Sequence, residues 1–562
     1  MDSSVSKAKV RIRISDIIFW VVALFFLFWV LGNRGLWASE DRWAEVTREM
    51  FRSGNFFHPT INGEPYFDKP LLTYWLIALV FALTGTLNEW TVRLPSAIAG
   101  IMVLWATVFL GRRLWSEEAG RTSGWILLTA FGFLFWSRSG TADMENLATV
   151  ILSIAWYWTW RGRQNFLTYL VFYLICFIGA QTKGLTAVAV PMVALLPDVF
   201  RERRWRALLS PSHTMALIIG LALYLAPFIY ANLTQGAYQE TGLALVFQEN
   251  IRRFFHPFDH VEPFYVYFYY LPVLFLPWTP VLLLALFRTA ASVKKLDDKT
   301  RWLIEATLLI FLFFTASSSR RDYYILPILP FCSLIIAVYL KTADKEVWKR
   351  LGLGLLEGLF ALIVLIEFLS PAFLFLLQKR VDFVVPVDIK LGTLMVGFFA
   401  LTPWIIKRWR PNLLVNVTGI NQKVAPLVAT AVILMGGFFC WQQESFEVYR
   451  TKKPFAREIK PQVADILPTD IAFYHKVETN VLFYLDVPGF VRVVKSPESV
   501  TNFLRSGKDT KVLISDHQGF KDLFRELPVG TLGQPSVSEK IYPWEKISKK
   551  KLVAWKIKRE GG

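Results

Sequence analysis

Apolar segments long enough to cross a lipid bilayer recur along most of this 562-residue sequence. Hydrophobic residues make up 54% of the chain, whereas about 45–50% is typical of soluble domains. Such blocks predict transmembrane helices, because a helix satisfies its own backbone polar groups in lipid. Thirteen spans are predicted, at 16–33, 94–111, 121–137, 146–160, 166–182, 184–199, 213–231, 264–287, 302–316, 323–340, 351–377, 389–406 and 424–441. The sequence therefore predicts an α-helical polytopic membrane protein.

The positively charged residues lie mainly in the loops between the apolar blocks. The net charge is +18, but Lys and Arg lie in short clusters between apolar blocks, which is the pattern of cytoplasmic loops. We therefore expect no nucleic-acid partner. The basic residues that precede the first apolar block predict an uncleaved signal-anchor with a cytoplasmic N-terminus. The odd number of cysteines, Cys176, Cys332 and Cys440, all in or beside apolar blocks, argues against a disulfide framework.

The apolar segment 70–85 decides the predicted orientation of the later loops. If it crossed the membrane, the arginine clusters at 112–113, 161–163 and 201–206 would lie outside. If it lay along the membrane surface, those clusters would lie inside, as the positive-inside rule favours. The predicted topology thus has thirteen crossings, with a cytoplasmic N-terminus and a C-terminus on the outer side.

The composition changes near residue 442. The segments DIAFYHKV, NVLFYLDV, FVRVVK, TKVLISD and KLVAWKIK predict short strands, and PESVTNFLRSG and GFKDLFREL predict helices between them. A unit of about 120 residues is a normal size for a domain. We therefore predict a membrane domain over 1–441, with a first outer loop at 34–93 (the first loop), and a soluble α/β domain over 442–562.

A strongly polar segment, 39–70, lies within the first loop, and other charged residues lie at the same ends of the predicted spans. Ionisable groups near membrane depth are costly, so their clustering on one face indicates a site, although any single one could be an ordinary hydrated loop charge. The cluster comprises Glu40, Asp41, Arg42, Glu45, Asp68, Lys69, Arg93, Arg138, Asp143, Glu145, Lys183, Arg252, Arg253, Arg320, Arg321 and Asp322.

Two parts of the first loop indicate specific chemistry. Ser39 is placed to cap a helix whose first turn carries Glu40 and Asp41. A carboxylate there could accept a proton from an attacking hydroxyl, or could only complement the helix dipole. Lys69, just before Pro70, could bind phosphate at a helix N-terminus, or could be an interfacial anchor.

Two other groups of residues have both a functional and a structural interpretation. Arg320 and Arg321, followed by Tyr323, suit a phosphate at the lipid boundary, or anchor the chain at the interface. His256 and His260 are four residues apart, as in some metal sites, but Pro257 interrupts any helix between them. They are weak metal candidates, and a divalent metal is the one cofactor that the sequence leaves open.

The motifs EDRWAEVTREM, NGEPYFDKPLLTYW, EWTVRLPSA, RSGTAD, TKG and SSSRRDYYILPILP occur in this order through the membrane half. Together they resemble the bacterial polyprenyl-phosphate-dependent glycosyltransferases of the protein mannosyltransferase-like superfamily, which have the GT-C fold. The likeness is strongest to the 4-amino-4-deoxy-L-arabinose transferases that modify lipid A. The resemblance implies thirteen spans, two interfacial helices in the first loop, and a mixed C-terminal outer domain. It also implies a bacterial inner (plasma) membrane, with the C-terminus in the periplasm.

The resemblance also implies roles for individual residues. The family's catalytic acid begins the first interfacial helix, usually as Asp-Glu followed by one residue and Arg. Ser39 stands here where that Asp is expected, so Glu40 or Asp41 would take the role, with Asp143 as the second acid. The predicted substrate-binding residues are Arg42, Tyr66, Asp68, Lys69, Arg93, Arg138, Lys183, Arg320, Arg321 and Tyr323.

The implied activity is the inverting transfer of a sugar from undecaprenyl phosphate to an envelope acceptor. The resemblance points first to 4-amino-4-deoxy-L-arabinose and a lipid A phosphate, with core oligosaccharide, O-antigen or protein as alternative acceptors. The expected partners are the lipid-linked sugar, a lipid or glycan acceptor, and the membrane. A flippase or transporter of lipid-linked sugars is the competing class, although no internal repeat of the kind found in transporters is visible.

Overall fold

The computed structural model describes residues 13–234, 244, 252, 261–291, 295–342, 346–380, 387–446, 450–506, 510–528, 531–539 and 551–558. Within these ranges the membrane half is mainly helical. Its helices are α1 (Ile14–Phe28), α2 (Glu40–Ser53), α3 (Leu72–Thr84), α4 (Glu89–Leu114), α5 (Glu117–Leu128), α6 (Phe131–Ser137), α7 (Asp143–Trp160), α8 (Phe166–Lys183), α9 (Thr186–Arg201), α10 (Pro211–Leu233), α11 (Tyr267–Leu274), α12 (Thr279–Ala291), α13 (Asp298–Ala316), α14 (Leu329–Thr342), α15 (Glu346–Arg380), α16 (Val387–Trp409), α17 (Pro411–Thr418) and α18 (Ala425–Cys440).

Helices lie on all the predicted spans. Seven helical segments among the described residues are long and apolar enough to cross a membrane, namely Glu89–Leu114, Phe166–Lys183, Pro211–Leu233, Asp322–Lys341, Val347–Leu376, Ile389–Trp409 and Ala425–Glu444. The chain is therefore a polytopic helical membrane protein, as predicted. The count of thirteen crossings stays a prediction.

Two of the predicted spans are each broken into two helices. Span 121–137 breaks between α5 and α6, and span 264–287 breaks between α11 and α12, where Pro277 has no N–H to continue a helix. The breaks lie side by side and satisfy each other's polar groups. The N–H of Phe131 donates to the carbonyl of Leu276 over 2.8 Å, and the Trp278 indole N–H donates to the Thr129 hydroxyl over 2.9 Å.

The ambiguous segment 70–85 forms the helix α3. Its 13 residues span about 20 Å at 1.5 Å per residue, which is shorter than the ~30 Å hydrocarbon core of a bilayer. The predicted helix is confirmed, and its place along the membrane surface stays a prediction.

The C-terminal residues form a second layered structure, the C-terminal α/β unit. It contains the helices α19 (Lys453–Val463), α20 (Thr479–Leu485), α21 (Pro497–Arg505) and α22 (His517–Glu526) and the strands β3 (Ile471–Tyr474), β4 (Arg492–Val494), β5 (Thr510–Asp516), β6 (Val537–Ser538) and β7 (Leu552–Lys558). The sheet order is β4-β3-β5-β7-β6; β3 runs parallel to β4 and β5, and β7 runs antiparallel to β5 and β6. α19 and α20 pack on one face, and α21 and α22 pack on the other.

One predicted strand of this unit is wrong. The segment NVLFYLDV forms the helix α20, which ends where Asp486 adopts a left-handed conformation with φ 54°. Val481, Leu482 and Leu485 are buried in the core beneath the sheet, at the spacing of one helix face. The strands predicted in the other four segments are confirmed, and the boundary at residue 442 stays a prediction.

Candidate active site

The first loop folds around α2. The helix begins directly after Ser39 as predicted, but the Ser39 hydroxyl makes no capping hydrogen bond. The hairpin after α2 (β1, Thr60–Ile61, and β2, Glu64–Pro65) turns through Asn62 at φ 56° and Gly63 at φ 78°, which are the left-handed conformations of a tight hairpin turn. The Glu49 carboxylate accepts hydrogen bonds from the Thr60 hydroxyl over 2.6 Å and from the N–H of Gly63 over 3.2 Å. This packing returns the chain to the side of α2 at residues 66–69.

Glu40 is buried and fully engaged by the protein. Arg93, itself 0% exposed, donates two hydrogen bonds to the Glu40 carboxylate over 2.8 and 2.9 Å. The N–H groups of Trp37 and Gly140 donate to the same carboxylate over 2.8 and 2.7 Å. Burial alone would raise the pKa of Glu40, but the cations Arg93 and Arg34 and these donors outweigh it and lower the pKa to about 2. Glu40 therefore joins the first loop to α4 as an ionised group.

Arg93 has all of its N–H donors occupied by the protein. Besides Glu40, it donates to the carbonyls of Leu31, Arg34 and Gly35 over 2.9, 2.6 and 2.7 Å. The side chain therefore presents no donor to a substrate in this arrangement, and its geometry is that of an anchor for the start of the first loop.

Asp41, the next residue, has a different environment. It is 8% exposed, and its carboxylate accepts a hydrogen bond from the N–H of Arg42 over 2.9 Å. Burial raises the pKa of Asp41 to about 7 against the effect of Arg42, and the carboxylates of Glu478 and Glu40 add to the rise. A carboxylate with this pKa can gain and lose a proton near neutral pH.

A row of polar contacts runs from Arg42 to Lys69. Arg42 donates to the Tyr66 hydroxyl over 2.6 Å, and Tyr66 donates to the Asp68 carboxylate over 3.3 Å. Burial and the neighbouring Asp68 raise the pKa of Tyr66 to about 12, so the phenol keeps the proton that it donates. The Lys69 ammonium donates to the carbonyl of Asp68 over 2.9 Å and lies 3.3 Å from its carboxylate. The contacts therefore connect the start of α2 with Lys69.

Lys69 lines a cavity of about 170 Å³ among α7, α8, α9, α13 and the 3₁₀ helix Asp322–Ile328. Four predicted site residues line this cavity, namely Lys69, Asp143, Lys183 and Tyr323. Asp143 begins α7 and Lys183 ends the antiparallel α8, which brings the two into a salt bridge. The Lys183 ammonium also lies 4.8 Å from the ring centroids of both Tyr323 and Tyr324, a cation–π arrangement.

Two of the remaining predicted arginines, Arg138 and Arg320, bond backbone carbonyls. Arg138 is buried and donates to the carbonyls of Phe26 and Trp29, so it ties α6 to the end of α1. Arg320 donates to the carbonyls of Thr315 and Glu262 over 3.0 and 2.7 Å. The Nε of Arg321 is buried and has no acceptor among the described residues.

Three residues of this region were not predicted from the sequence. The Ser319 hydroxyl lines the cavity, is buried, and has no hydrogen-bond partner among the residues that the structure describes. Asn146 lines the same cavity, one helical turn after Asp143. Arg34 lies 3.4 Å from the Glu40 carboxylate. The serine run before Arg320 and the i, i+3 spacing of Asn146 from Asp143 are signals that could have indicated the first two.

The weak metal candidates His256 and His260 lie outside the described residues, as does Arg253. In the part of the chain that the structure describes, no three His, Cys, Asp or Glu side chains gather closely enough to hold a metal ion.

Comparison with known proteins places this architecture in a family. Residues 68–230 match the family model of dolichyl-phosphate-mannose-protein mannosyltransferases. The chain is 30% identical over 428 residues, 73% of each chain, to the undecaprenyl phosphate-α-4-amino-4-deoxy-L-arabinose arabinosyl transferase of Pseudomonas paraeruginosa. It is 28% identical over 407 residues to arabinosyl transferase 1 of Pseudomonas fluorescens, which covers 69% of this chain and 67% of the relative.

A solved structure has the same fold. The crystal structure of ArnT from Cupriavidus metallidurans bound to undecaprenyl phosphate superposes with a TM-score of 0.71 at 18% identity, over 96% of this chain and 97% of that one. The apo form of the same protein gives a TM-score of 0.68. Because relatedness extends over most of both chains in sequence and in fold, this protein belongs to the undecaprenyl phosphate-α-4-amino-4-deoxy-L-arabinose arabinosyl transferase family and is a membrane glycosyltransferase.

Proposed function

We propose that this protein transfers 4-amino-4-deoxy-L-arabinose from undecaprenyl phosphate to a phosphate of lipid A. The donor is the one named for the relatives at about 30% identity, and the acceptor follows from the motif resemblance. The cavity that brings Lys69 and Lys183 together is the observation that carries the proposal, because a lipid-linked phosphate needs cations at the membrane end of a polar site.

The cavity wall offers the groups that a phosphate monoester or diester requires. Lys69 and Lys183 supply positive charge, and the buried Ser319 hydroxyl is a donor without a protein partner among the described residues. An unsatisfied buried hydroxyl is costly, and a phosphate oxygen would satisfy it. Arg321, whose Nε has no acceptor among the residues that the structure describes, follows two positions later.

Apolar residues continue from the charged part of the cavity. Phe313 and Phe314 from α13 and Leu326 and Pro327 from the following 3₁₀ helix line the same cavity. An isoprenoid chain could lie against these side chains while its phosphate meets the lysines. The amphipathic lining therefore supports a lipid-linked donor over a free nucleotide sugar.

In the proposed reaction, an acceptor oxygen attacks the anomeric carbon opposite the lipid phosphate and inverts the configuration there. The new C–O bond forms as the bond to the lipid phosphate breaks, and the electron pair leaves on the phosphate oxygen. Lys69 and Lys183 stabilise the charge that grows on this phosphate. An anionic lipid A phosphate needs orientation more than deprotonation, whereas a hydroxyl acceptor would give its proton to a carboxylate.

Asp41 is the carboxylate that we assign to orient or deprotonate the acceptor. Glu40 is held ionised by Arg93 and by backbone donors, so we assign it and Arg93 to the positioning of the first loop. Asp143 is paired with Lys183, and we assign it to the orientation of that lysine. Of these three acids, Asp41 has the raised pKa expected of a group that exchanges protons near neutral pH.

The test is transfer by the reconstituted full-length protein from an undecaprenyl-phosphate aminoarabinose donor to lipid A, followed by mass spectrometry. Lys69→Met and Lys183→Met should lower kcat/KM by about 100-fold or more, since each removes a charge that stabilises the leaving phosphate. Lys521→Met on the exposed face of α22 is the matched control and should retain wild-type activity. Near-normal transfer by both cavity variants would contradict the proposed site.

The acceptor is tested separately in cells. Loss of the protein should remove an aminoarabinose mass from lipid A phosphate. Loss of a sugar from core oligosaccharide instead would preserve the donor chemistry and contradict the acceptor. An unchanged envelope would contradict the whole proposal.

A further inference from the structure

Contacts between the C-terminal α/β unit and the first loop suggest that the unit takes part in the reaction. We infer that Asn480 and Tyr484 of α20 are positioning residues, which fix the segment leading into α2 and thereby place Asp41. The inference rests on the proposed role of Asp41, and it assigns to the C-terminal α/β unit a task in the transfer step.

Both backbone groups of Leu36 are held by side chains of α20. The N–H of Leu36 donates to the Tyr484 hydroxyl over 2.7 Å, and the carbonyl of Leu36 accepts from the Asn480 amide over 2.8 Å. These are two directional bonds to one residue of an irregular segment, separated from α20 by more than 440 positions. Together they fix the position and the orientation of the Leu36 backbone relative to α20.

The two holding side chains are themselves oriented. Tyr484 donates its proton to the Glu89 carboxylate over 2.9 Å, and Glu89 is also paired with Lys453. The Asn480 carbonyl oxygen accepts from the N–H of Lys452 over 3.1 Å. Each side chain that holds Leu36 therefore makes a second hydrogen bond, which limits its freedom to turn away.

The membrane half holds the same segment at the residues next to Leu36. Arg93 binds the carbonyls of Arg34 and Gly35, and the Glu40 carboxylate accepts from the N–H of Trp37. Three residues before Asp41, Ala38 adopts φ 54°, a left-handed conformation that is unfavourable for a residue with a Cβ. Such a conformation persists only where the surroundings impose it, and the bonds on both sides of Leu36 do so.

The interface around this contact is extensive, so loss of one hydroxyl should not separate the two parts. Arg48 in α2 donates to the carbonyls of Phe483 and Leu482 over 2.9 and 3.1 Å and to Asp486 over 2.8 Å. The Asn62 side chain exchanges two hydrogen bonds with the backbone of Val491. A change at Tyr484 therefore tests the position of the Leu36 segment within an assembled protein.

The experiment uses the full-length protein in lipid nanodiscs with the undecaprenyl-phosphate aminoarabinose donor. Tyr484→Phe and Asn480→Ala should lower kcat by about 10- to 100-fold, the scale of a small misplacement of a reacting group, with the donor KM unchanged within about twofold. Arg52→Ala is the matched control, because Arg52 bonds Asp486 across the same interface over 3.2 Å without touching the segment 34–41. It should leave kcat and KM unchanged.

A second substitution distinguishes a loss of kcat caused by misplacement of the Leu36 segment from one caused by lower protein stability. Ala38→Gly in the Tyr484→Phe background removes the cost of the left-handed conformation, so it should restore a large part of the lost kcat. A raised donor KM, wild-type kcat in both α20 variants, or no restoration by Ala38→Gly would each overturn the inference. Asp41→Asn is assayed in parallel. A fully active Asp41→Asn variant would contradict the proposed role of Asp41. An inactive Asp41→Asn variant together with a fully active Tyr484→Phe variant would overturn only the positioning role of α20.

Discussion

Glu40 and Asp41 are neighbours in the sequence but meet opposite electrostatic environments. Glu40 accepts two hydrogen bonds from Arg93 and two from backbone N–H groups, whereas the Asp41 carboxylate accepts one from the N–H of Arg42. The pKa of Glu40 is accordingly about 2 and that of Asp41 about 7. Two carboxyl groups with separated pKa values can perform separate tasks. In the proposed reaction, Glu40 is the ionised structural group and Asp41 is the group that exchanges protons.

The first prediction concerns the pH dependence of transfer. If ionised Asp41 is required, kcat should rise with pH through about 7, because the carboxyl is protonated below that value. Asp41→Asn should lower kcat by about 100-fold or more and abolish this limb of the profile. Steady-state kinetics from pH 5 to 9 measure both effects. A limb that survives in Asp41→Asn would belong to another group, such as the acceptor phosphate.

The second prediction concerns the stability contributed by Glu40. Breaking a buried ion pair by removing one partner costs about 3–5 kcal/mol, so Glu40→Gln should lower the thermal unfolding temperature clearly. Since the folded-state pKa is lowered from 4.5 to about 2, this stabilisation is present above pH 4.5 and is lost as the pH falls toward 2. The exposed Glu64→Gln serves as the control. Equal unfolding temperatures for the two variants would contradict the anchor role.

The different environments of Glu40 and Asp41 could not be predicted from the sequence alone. Arg93, which decides the state of Glu40, lies 53 residues further along the chain, and no local pattern couples them. Lys69 and Asp143 could be selected because each lies at a helix start beside a recognisable motif. For Ser319 the sequence offered only the serine run before Arg320, because burial without a hydrogen-bond partner among the described residues is a property of the packed structure.

Among the elements, α20 illustrates how a pattern of side chains can mislead. Its segment is rich in aromatic and β-branched residues, which favours a strand, and both sides of it are buried. Val481, Leu482 and Leu485 pack beneath the sheet, while Phe483 packs with the apolar core of the first loop. By contrast, the strand β5 was predicted over 510–516 with its observed bounds, because it is buried on both faces of a sheet and reads as a continuous apolar run.

The third prediction concerns the contact of α4 with α5. A Cβ on Gly120 would lie 2.6 Å from the carbonyl oxygen of Val108, and one on Gly111 would lie 2.7 Å from the Cα of Gly120. Small residues allow helix backbones to approach closely in membranes, and backbone atoms cannot move aside as a flexible side chain can. Gly120→Ala should therefore lower the unfolding temperature. Gly354→Ala in α15, with open space around it, is the matched control and should have no such effect.

At the scale of the whole molecule, ion pairs lie at both ends of the helices α7 and α8. Asp143 and Lys183 meet at one end of α7 and α8, close to Lys69. At the other end of α7, Arg161 pairs with Asp198, and Arg204 lies beside Glu202. The helical segments and this separation could be predicted from apolar blocks and basic loops, whereas the breaks at Thr129 and Leu276 could not, because each is stabilised by the other across the fold.

The last prediction is that these two ends face opposite sides of the membrane. Gly162, between α7 and α8, and Gly533, in the C-terminal α/β unit, both have open space for a side chain. In a Cys440→Ser background, a membrane-impermeant maleimide should label Gly533→Cys in cells with a permeabilised outer membrane. It should label Gly162→Cys only after the inner membrane is opened. Cys176 and Cys332 are 0% exposed and should contribute little background.

The reverse labelling pattern would place the arginine-rich end outside, against the positive-inside rule. It would also place the cavity with Lys69 on the cytoplasmic side, away from an acceptor displayed in the periplasm. Labelling of both positions from the same side would mean that an odd number of the predicted crossings between them is wrong. The orientation and the proposed reaction are therefore tied together, because the donor phosphate and the acceptor must reach the cavity from the face on which the C-terminal α/β unit lies.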